Sequence, residues 1–334
     1  MAGLSSGSGP APLVAGLDLG GTKVLGMVPD PADPRRALAM VRVDTPRGAG
    51  PIVAALHDVV ARLQADLDGQ GLGPLAAVGA GVAGLVDRGG VLRFAPNLPG
   101  VVDLDVHAAL VEATGLAVVV DNDANTATVG EHRAGAGQGA DDMVLVTLGT
   151  GIGGGMIVAG ELRRGAAGFA GEPGHMVVDP TGPPCPCGRR GCWERFASGS
   201  GLGRIARDAA HAGRAEGIVA LAGGDPDDVR GEHVTRAAAA GDVEAVALMG
   251  EFGWWVALGV SNLENLLDPE VVVIGGGLAD AGELLLEPVR TAYAGLVLAY
   301  EHRPPVRIVA AELGADAGAI GAALLARDLL VTRG

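Results

Sequence analysis

Aromatic side chains are scarce in this 334-residue sequence, at 3% of residues, whereas glycine, alanine and valine are abundant and apolar residues make up 49%. Many small apolar residues favour a well-packed α/β enzyme over a β-sandwich or a disordered scaffold. The length exceeds the usual size of a single hydrophobic core. We therefore expect two domains.

Basic residues are also few, because 24 Lys and Arg stand against 39 Asp and Glu and give a formal net charge of -15. A nucleic-acid surface normally carries clustered Lys and Arg, so we expect no nucleic-acid partner. A small anionic substrate stays compatible with this charge, since glycine loops can hold an anion locally.

A secretory signal and a clear membrane span are lacking as well. Residues 1–12 are rich in Gly, Ser and Ala and carry no positively charged segment. The uncharged stretch from Met143 to Gly160 has membrane-like length, but it contains six glycines and is interrupted by Thr147 and Thr150, which predicts strand, turn, strand. We expect a cytoplasmic protein with no membrane partner.

Cysteine is limited to three residues, all within Cys185-Pro-Cys187-Gly-Arg-Arg-Gly-Cys192, and His175 lies ten residues upstream. Incidental buried cysteines would be scattered, and a single disulfide would leave one cysteine over. Three thiolates and one imidazole complete a tetrahedral shell with no open position for water. The pattern therefore predicts a structural Zn2+ held by His175, Cys185, Cys187 and Cys192.

Two similar segments predict β-hairpins. In the first, apolar runs over 13–17 and 24–28 flank a Gly-Gly turn, and in the second, runs over 143–147 and 156–158 flank a glycine-rich turn. Two such hairpins about one domain apart suggest a duplicated architecture. Other apolar patterns predict helices over 53–67, 104–114, 202–212, 234–240, 243–267, 282–294 and 318–330, and strands over 76–82, 118–120 and 271–274.

Polar residues concentrate in Asp121-Asn122-Asp123-Ala-Asn125, directly after the predicted strand 118–120. Ligands bind at this end of the strands in open α/β sheets. Either Asp121 or Asp123 could be a helix N-cap, but one cap does not explain the density of polar groups. A carboxylate here suits acceptance of a hydroxyl proton.

Together these motifs resemble the signature of ROK proteins, a group of bacterial sugar kinases and sugar-responsive repressors. The resemblance covers nearly the whole chain. It rests on Asp18-Leu-Gly-Gly-Thr-Lys23, Asp121-Asn-Asp-Ala-Asn125, Leu148-Gly-Thr-Gly-Ile-Gly-Gly154, Gly168-Phe-Ala-Gly-Glu172-Pro-Gly-His175, the cysteine segment with Trp193-Glu194, and Ile274-Gly-Gly-Gly277.

The resemblance implies an α/β, two-domain, actin/hexokinase-like (ribonuclease H-like) fold with a zinc knuckle. A small N-terminal α/β domain would span 1–121, with residues 311–334 returning to it. A large α/β domain over 122–310 would carry the knuckle and the substrate groups.

The resemblance also implies ATP-dependent phosphorylation of the 6-hydroxyl of a hexose, glucose first, as in glycolysis. Asp123 would be the catalytic base. His175 would ligate zinc through one nitrogen and face the sugar with the other. Asn97 would otherwise be an ordinary turn residue. The implied sugar ligands are Gly84, Asn97, Asn122, Asp123, Glu172, His175 and Glu194.

For ATP, the resemblance implies glycine backbones that approach the phosphates, with Thr150 adding a hydroxyl. The Gly-x-Gly-x-x-Gly pattern of 149–154 would mark a dinucleotide site only if it opened a helix, and strand follows here. Asp18 would organise Mg2+ through water, and Lys23 either pairs with a phosphate or lies on the surface. The implied nucleotide residues are Asp18, Gly20, Gly21, Thr22, Lys23, Thr150, Gly151, Gly153, Gly275, Gly276 and Gly277.

Two kinds of alternative remain open. The sugar could instead be N-acetylglucosamine, N-acetylmannosamine or fructose, or the chain could be a sugar sensor that does not bind DNA. A DNA-binding repressor is disfavoured, because only about a dozen residues precede the first predicted strand and the charge is acidic. The resemblance implies a homodimer or homotetramer.

Overall fold

The computed structural model describes residues 11–331. Residues 1–10 and 332–334 lie outside the described residues. Most of the segment 1–12, for which we expect no secretory signal, is therefore also outside them. The chain forms two compact units. Unit 1 runs to Gly130 and resumes at Gly318, and unit 2 spans Glu131–Ala317.

Two five-stranded sheets and one small three-stranded sheet contain the strands of the described chain. The strands are β1 Leu13–Leu19, β2 Lys23–Pro29, β3 Ala37–Asp44, β4 Leu75–Val82, β5 Leu85–Val86, β6 Val91–Phe94, β7 Val102–Asp105, β8 Ala117–Asn122, β9 Met143–Leu148, β10 Ile152–Val158, β11 Glu161–Leu162, β12 Val271–Gly275 and β13 Arg307–Ala310.

Helices connect and cover these sheets, and short 3₁₀ turns occur at Pro173–His175, Gly277–Ala281 and Gly314–Asp316 among others. The α-helices are α1 Ala49–Gly69, α2 Val106–Thr114, α3 Asp123–Ala134, α4 Glu194–Ala197, α5 Gly199–His211, α6 Glu216–Leu221, α7 Gly231–Ala239, α8 Val243–Leu267, α9 Glu283–Leu296 and α10 Ala317–Val331.

Both large sheets have the same strand arrangement. In unit 1 the order is β3-β2-β1-β4-β8, and in unit 2 it is β11-β10-β9-β12-β13. In each sheet the first three strands are antiparallel and the last two run parallel to the middle strand. The predicted α/β fold with two glycine-turn hairpins is confirmed.

In unit 1, α10 packs directly on the central strands. A Cβ at Gly16 of β1 would collide with the Ala319 carbonyl, and one at Gly79 of β4 would collide with the Ala322 carbonyl. Glycine on two adjacent strands therefore allows the helix backbone to approach the sheet more closely than side chains would permit. A Cβ at Gly318, near the start of α10, would lie 2.9 Å from the Asp18 carboxyl carbon, so the helix begins beside this carboxylate.

In unit 2, α8 runs through the core. It is 25 residues long and contains an 18-residue stretch with a mean hydropathy of 1.4, so by length and composition alone it could cross a membrane, but half of that stretch is buried inside the protein. Leu248, Phe252 and Val256 on its inner face join the same core as Val272 and Ile274 of β12. Its apolar character is thus explained by core packing. The Met143–Gly160 stretch forms β9, a turn and β10, as predicted.

Some boundaries differ from the sequence-based ones. Residues 104–105 end β7, and the predicted helix begins only at Val106, because the Asp105 side chain caps it by accepting from the Ala108 N–H at 2.8 Å. The three-stranded sheet of β5–β7 and the short α6 have no counterpart in the sequence prediction.

The crossings between the units also lie later than the expected domain limits of 121/122 and 310/311. Asn122 still pairs with Val82 in the first sheet, which keeps it and the start of α3 in unit 1. At the second crossing, the Ala311 N–H donates to the Ile274 carbonyl at 2.8 Å, which keeps the segment before α10 in unit 2.

Candidate active site

Three thiols and one imidazole come together in unit 2. The ligand atoms of His175, Cys185, Cys187 and Cys192 all lie within 4.8 Å of one another. Three sulfurs and one nitrogen at such separations fit the soft donor set and tetrahedral geometry of structural zinc. The predicted residues are therefore assembled as a possible metal site.

Glycines allow the knuckle, residues 185–192, to turn back tightly. Gly188 and Gly191 have φ of +89° and +68°, a region that other residues avoid. A Cβ at Gly191 would also collide with the Asp179 carbonyl. The Cys185 N–H donates to the Arg189 carbonyl at 2.8 Å and closes the turn.

The cysteine thiols differ in acidity. Burial, followed by the Glu194 side chain, raises the pKa of Cys185, whereas the Arg189 backbone N–H lowers the pKa of Cys187. Zinc binds thiolates, so its binding must release these protons and weaken in acid.

Glu194 links the knuckle to the glycine turn between β9 and β10. Its Oε1 lies 3.0 Å from the Cys185 Sγ and 3.7 Å from the His175 Nδ1. A Cβ at Gly151 would lie 2.7 Å from its other oxygen, Oε2. Glu194 is therefore one carboxylate in contact with two predicted sites, and only glycine at 151 leaves room for it.

Glu172 lies in the segment of unit 2 that precedes the knuckle in the chain. It directly precedes the 3₁₀ turn Pro173–His175, and its carbonyl accepts the His175 N–H at 3.2 Å. Pro173 is buried and packs against Gly154 of β10. The turn thereby fixes Glu172 and His175 beside the second hairpin.

The glycine turn of 149–151 is bonded to the start of α5. The Gly199 N–H donates to the Gly149 carbonyl at 2.8 Å, and the Ser200 hydroxyl donates to the Thr150 carbonyl at 2.8 Å. Gly153 lies beyond the turn, paired with Thr147 in the sheet. A strand follows the glycine motif, so the dinucleotide interpretation is excluded by the structure.

The sequence prediction missed the helix start at Ser198–Ser200. The Ser198 side chain caps α5 by accepting the Gly201 N–H at 3.1 Å. Helix N-termini attract anions, and this one adjoins the predicted phosphate turn. The Ser-Gly-Ser-Gly pattern of 198–201 is an N-cap signal that could have indicated it.

The triple glycine of 275–277 lies against the end of β9, directly before the 149–151 turn. Gly276 has a φ of +80°, and a Cβ there would meet the Leu148 backbone at 2.6 Å. Gly277 opens the 3₁₀ turn Gly277–Ala281. Unit 2 thus brings together the predicted nucleotide glycines 151 and 275–277, the predicted sugar ligand Glu194 and the predicted metal ligands.

The first hairpin occupies unit 1. Its turn closes through the Gly20 N–H, which donates to the Lys23 carbonyl at 3.0 Å, and Thr22 lies at the tip. A Cβ at Gly21 would lie 3.0 Å from the Asn97 carbonyl and Cβ. Asn97, predicted as a sugar ligand, therefore adjoins the predicted phosphate hairpin.

Asp18 on β1 and Asp123 at the start of α3 interact electrostatically. Burial and, to a smaller extent, the Asp123 charge raise the pKa of Asp18 to about 7, while Lys23 acts in the opposite direction. Burial also raises the pKa of Asp123, although hydrogen bonds from Ala124 and Asn122 lower it in part. The two carboxyls thus form an acidic pair with Lys23 as a nearby cation.

Asn122 holds Asp123 in place. Its Nδ2 donates to the Asp123 Oδ1 at 2.9 Å and to the Gly84 carbonyl at 3.0 Å. The Asp123 Oδ1 also accepts the Ala124 N–H at 2.9 Å. Both amide hydrogens of Asn122 are therefore engaged, so it can contact a sugar only through its Oδ1 in this arrangement.

The helix N-cap proposed for Asp121 or Asp123 belongs to Asn122. The Asn122 Oδ1 accepts the Asn125 N–H, three residues on, at 3.1 Å. Asp121 instead uses its Oδ1 to accept from the Asn122 N–H and the Asn125 Nδ2, both at 2.8 Å. The prediction that Asp121 or Asp123 is the cap is therefore wrong. Asn122 lies one residue nearer the helix than Asp121, and its side-chain oxygen accepts the N–H three residues on.

Gly84 requires glycine for steric reasons. Its φ is +132°, and a Cβ would collide with the Phe94 carbonyl and come within 2.9 Å of the Ala95 Cβ. Its carbonyl is held by Asn122. Unit 1 thus brings together Gly84, Asn122 and Asp123, and separately Gly21 and Asn97.

Comparisons with known proteins agree on one family. The ROK family model matches residues 14–329. A glucokinase from Streptomyces coelicolor is 41% identical over 321 residues, which cover 95% of this chain and 98% of the relative. An N-acetylmannosamine kinase from Citrobacter koseri is 35% identical and covers 93% of this chain and 97% of the relative.

A solved structure gives the same result. The ROK family glucokinase from Streptomyces griseus in complex with glucose and AMPPNP matches with a TM-score of 0.82 at 42% identity, over 95% of this chain and 99% of that one. With its Asp-x-Gly-Gly-Thr hairpin, its Asp-Asn-Asp strand end and its Cys3His knuckle, this chain belongs to the ROK family.

Proposed function

We propose that this enzyme transfers the γ-phosphoryl group of ATP to the 6-hydroxyl of a hexose, with glucose as the preferred acceptor. Family membership, a relative named glucokinase at 41% identity, and the similar structure solved with glucose and AMPPNP support this.

The surroundings of Asp123 are the observation that carries the proposal. Its Oδ1 accepts from Asn122 and Ala124, so we assign Oδ2 to the sugar 6-hydroxyl. Burial raises its pKa, which makes the ionised carboxylate a stronger base. As the 6-oxygen attacks the γ-phosphorus, its proton passes to Asp123 and ADP leaves.

We assign the nucleotide to the glycine turns. Backbone N–H groups of the 149–151 turn and the adjoining start of α5 suit phosphates, and Gly275–Gly277 suit the adenosine. Lys23 is assigned to a phosphate, because it acts electrostatically on Asp18 rather than lying apart on the surface.

The residues also fit Mg2+. Asp18 offers an oxygen ligand beside a second carboxylate, which is the donor type that a hard cation prefers. When bound, Mg2+ neutralises phosphate charge during transfer. Asp18 would hold it through water, and ionisation of Asp18 is needed for that role.

We assign the sugar hydroxyls to Asn97, Glu172, His175 and Glu194. Glu194 contacts both the knuckle and the 151 turn, so it can orient a hydroxyl near the phosphates. Structural zinc would act indirectly, by fixing His175 and the chain on either side of it.

The second candidate is a kinase for an N-acetylated hexosamine, favoured by the N-acetylmannosamine kinase relative at 35% identity. A site built to bond the 2-hydroxyl of glucose discriminates against an analogue that leaves its polar groups unpaired. The glucokinase relative is more similar, so we place glucose first.

The same proposal includes a cytoplasmic homodimer or homotetramer that acts in glycolysis. Val243, Val246 and Trp254 are exposed on one side of α8, and such an apolar face suits a subunit interface. Sedimentation at several protein concentrations measures the assembly directly.

A sugar panel tests the substrate. ADP formation should be measured with glucose, N-acetylglucosamine, N-acetylmannosamine and fructose at limiting concentrations. We expect kcat/KM for glucose to exceed that for either N-acetyl sugar by at least roughly tenfold. A higher value for an N-acetylated sugar would replace glucose with that sugar while keeping the kinase assignment.

A further inference from the structure

Glu131 is a buried carboxylate to which no role in the proposed reaction has been given. Only 1% of the surface of Glu131 is exposed to solvent. Its Oε1 accepts the Leu313 N–H at 2.8 Å, and its Oε2 accepts the Ala136 N–H at 2.9 Å and the Glu312 N–H at 3.1 Å. Both oxygens are therefore bonded to backbone, and two of the bonds reach a segment 181 and 182 residues away.

The local sequence is built around this carboxylate. The Gly135 and Gly137 N–H groups donate to the Glu131 carbonyl, which bends the chain after α3 back over the side chain. A Cβ at Gly135 would collide with the Glu131 carboxylate. A buried charge is tolerated only when it is well bonded, and three backbone donors meet that condition here.

The distant segment adjoins the triple glycine. Because β12 and β13 are parallel, their carboxyl ends meet at one edge of the sheet. There the Ala311 N–H donates to the Ile274 carbonyl at 2.8 Å, and a Cβ at Gly275 would lie 3.4 Å from the Ala311 Cβ. Ala311 thus lies against Gly275, and the chain continues directly from this contact to the Glu312 and Leu313 amides that Glu131 holds; residues 311–313 are called the wall beside Gly275.

We propose that Glu131 is a positioning residue for the nucleotide: by holding the Glu312 and Leu313 backbone, it keeps the wall beside Gly275 in place. This inference rests on the proposed function, which assigns Gly275–Gly277 to adenosine. It predicts that loss of Glu131 weakens nucleotide binding and changes sugar binding and proton transfer little.

The test variant is Glu131→Gln. An amide places an NH2 group where one oxygen accepts backbone N–H groups, so at least one bond to the 312–313 segment is lost. Loss of one hydrogen bond corresponds to about a fivefold change in affinity, and two bonds to more. We expect KM for Mg-ATP and the dissociation constant for AMPPNP to rise about five- to tenfold, with KM for glucose and kcat little changed.

Hydrogen exchange shows whether the effect of the substitution is local. A general loss of stability would speed exchange throughout unit 2 and not only at the 312–313 segment. The Glu312 and Leu313 amides should exchange faster in Glu131→Gln than in the wild type, while the β12 amides keep their protection. Unchanged AMPPNP affinity together with faster exchange at 312 and 313 would overturn the proposal.

Glu264→Gln is the matched control. Glu264 is also a buried glutamate of unit 2, and its partner is Arg303, with 3.5 Å between its Oε1 and the Arg303 guanidinium. We expect it to lower stability without changing the affinity for AMPPNP. An equal loss of affinity in both variants would attribute the effect to general destabilisation and contradict the proposal.

Two further arms keep the test decisive. If Glu131→Gln does not fold, hydrogen exchange of the wild type is the test. Glu312 and Leu313 amides that exchange as fast as exposed loop amides would refute the proposal that Glu131 holds them, and protection like that of core amides would support it. A wild type that binds AMPPNP but phosphorylates no sugar refutes the proposed function alone, because exchange and AMPPNP binding need no turnover.

Discussion

Asp123 and Asp18 both have raised pKa values, because burial removes each carboxyl from water and because Asp123 adds negative charge near Asp18. Two neighbouring carboxyls can take different roles in one reaction. We assign proton acceptance to Asp123, which Asn122 holds at 2.9 Å, and the metal to Asp18.

Asp123→Asn should lower kcat by roughly 10²- to 10⁴-fold, because the amide keeps the shape and cannot accept the hydroxyl proton. Binding of glucose, measured by calorimetry, should change little. Asp105→Asn is the control, since it makes the same chemical change at the exposed start of α2 in the same unit. Near-normal turnover by folded Asp123→Asn would end the assignment.

Asp18 predicts how stability depends on pH. Its pKa is about 7 in the folded protein against 3.8 ordinarily, so the folded state holds a proton that the unfolded chain has lost between these values. The free energy of unfolding therefore falls as pH rises through this window. Asp18→Asn removes that part of the fall, so its stability advantage over the wild type should grow with pH.

Urea unfolding of metal-free, ligand-free protein from pH 5 to 7.5 measures this difference. Asp105→Asn again serves as the control for the same chemical change at an exposed position. A stability difference between Asp18→Asn and the wild type that stays constant across the window would show that Asp18 is not protonated there.

At the scale of elements, the knuckle is the clearest example of a pattern that specifies a structure. We expect about one zinc per chain by elemental analysis. Cys187→Ser should lose zinc and most activity, because structural zinc contributes directly to local folding. His211→Asn, at an exposed histidine paired with Asp227 at 3.0 Å, should keep both. Full zinc and full activity in Cys187→Ser would contradict a Cys3His site.

The elements with a strong period were predictable from sequence. Both hairpins, the apolar strand 271–274 and the long α8 follow from alternation or helical spacing. The β5–β7 sheet was not, because its strands have two to four residues and too few positions to show alternation. The role of Asn122 as a cap was also missed, since three neighbouring polar residues are all good caps.

Glu131 shows a different limit. A single glutamate in a helix carries no pattern, and its partners lie 181 and 182 residues away. Only the fold brings the Glu312 and Leu313 amides to it. The candidate ligands were found more readily, because the family motifs place them within short, contiguous segments.

For the whole molecule, one sheet order occurs twice and each copy carries a hairpin with glycines at its turn. Unit 1 contains Asp18, Asn97 and Asp123, and unit 2 contains Glu194 and the knuckle. Residues that the proposal assigns to the reaction therefore occur in both units.

The most direct test is to identify the product. Purified protein with Mg-ATP and glucose should form ADP and glucose 6-phosphate in equal amounts, assigned by phosphorus and proton NMR, while 6-deoxyglucose should yield neither. Sugar-dependent ADP formation with 6-deoxyglucose, a phosphate on another hydroxyl, or no turnover with any hexose of the panel would contradict phosphoryl transfer to the 6-hydroxyl.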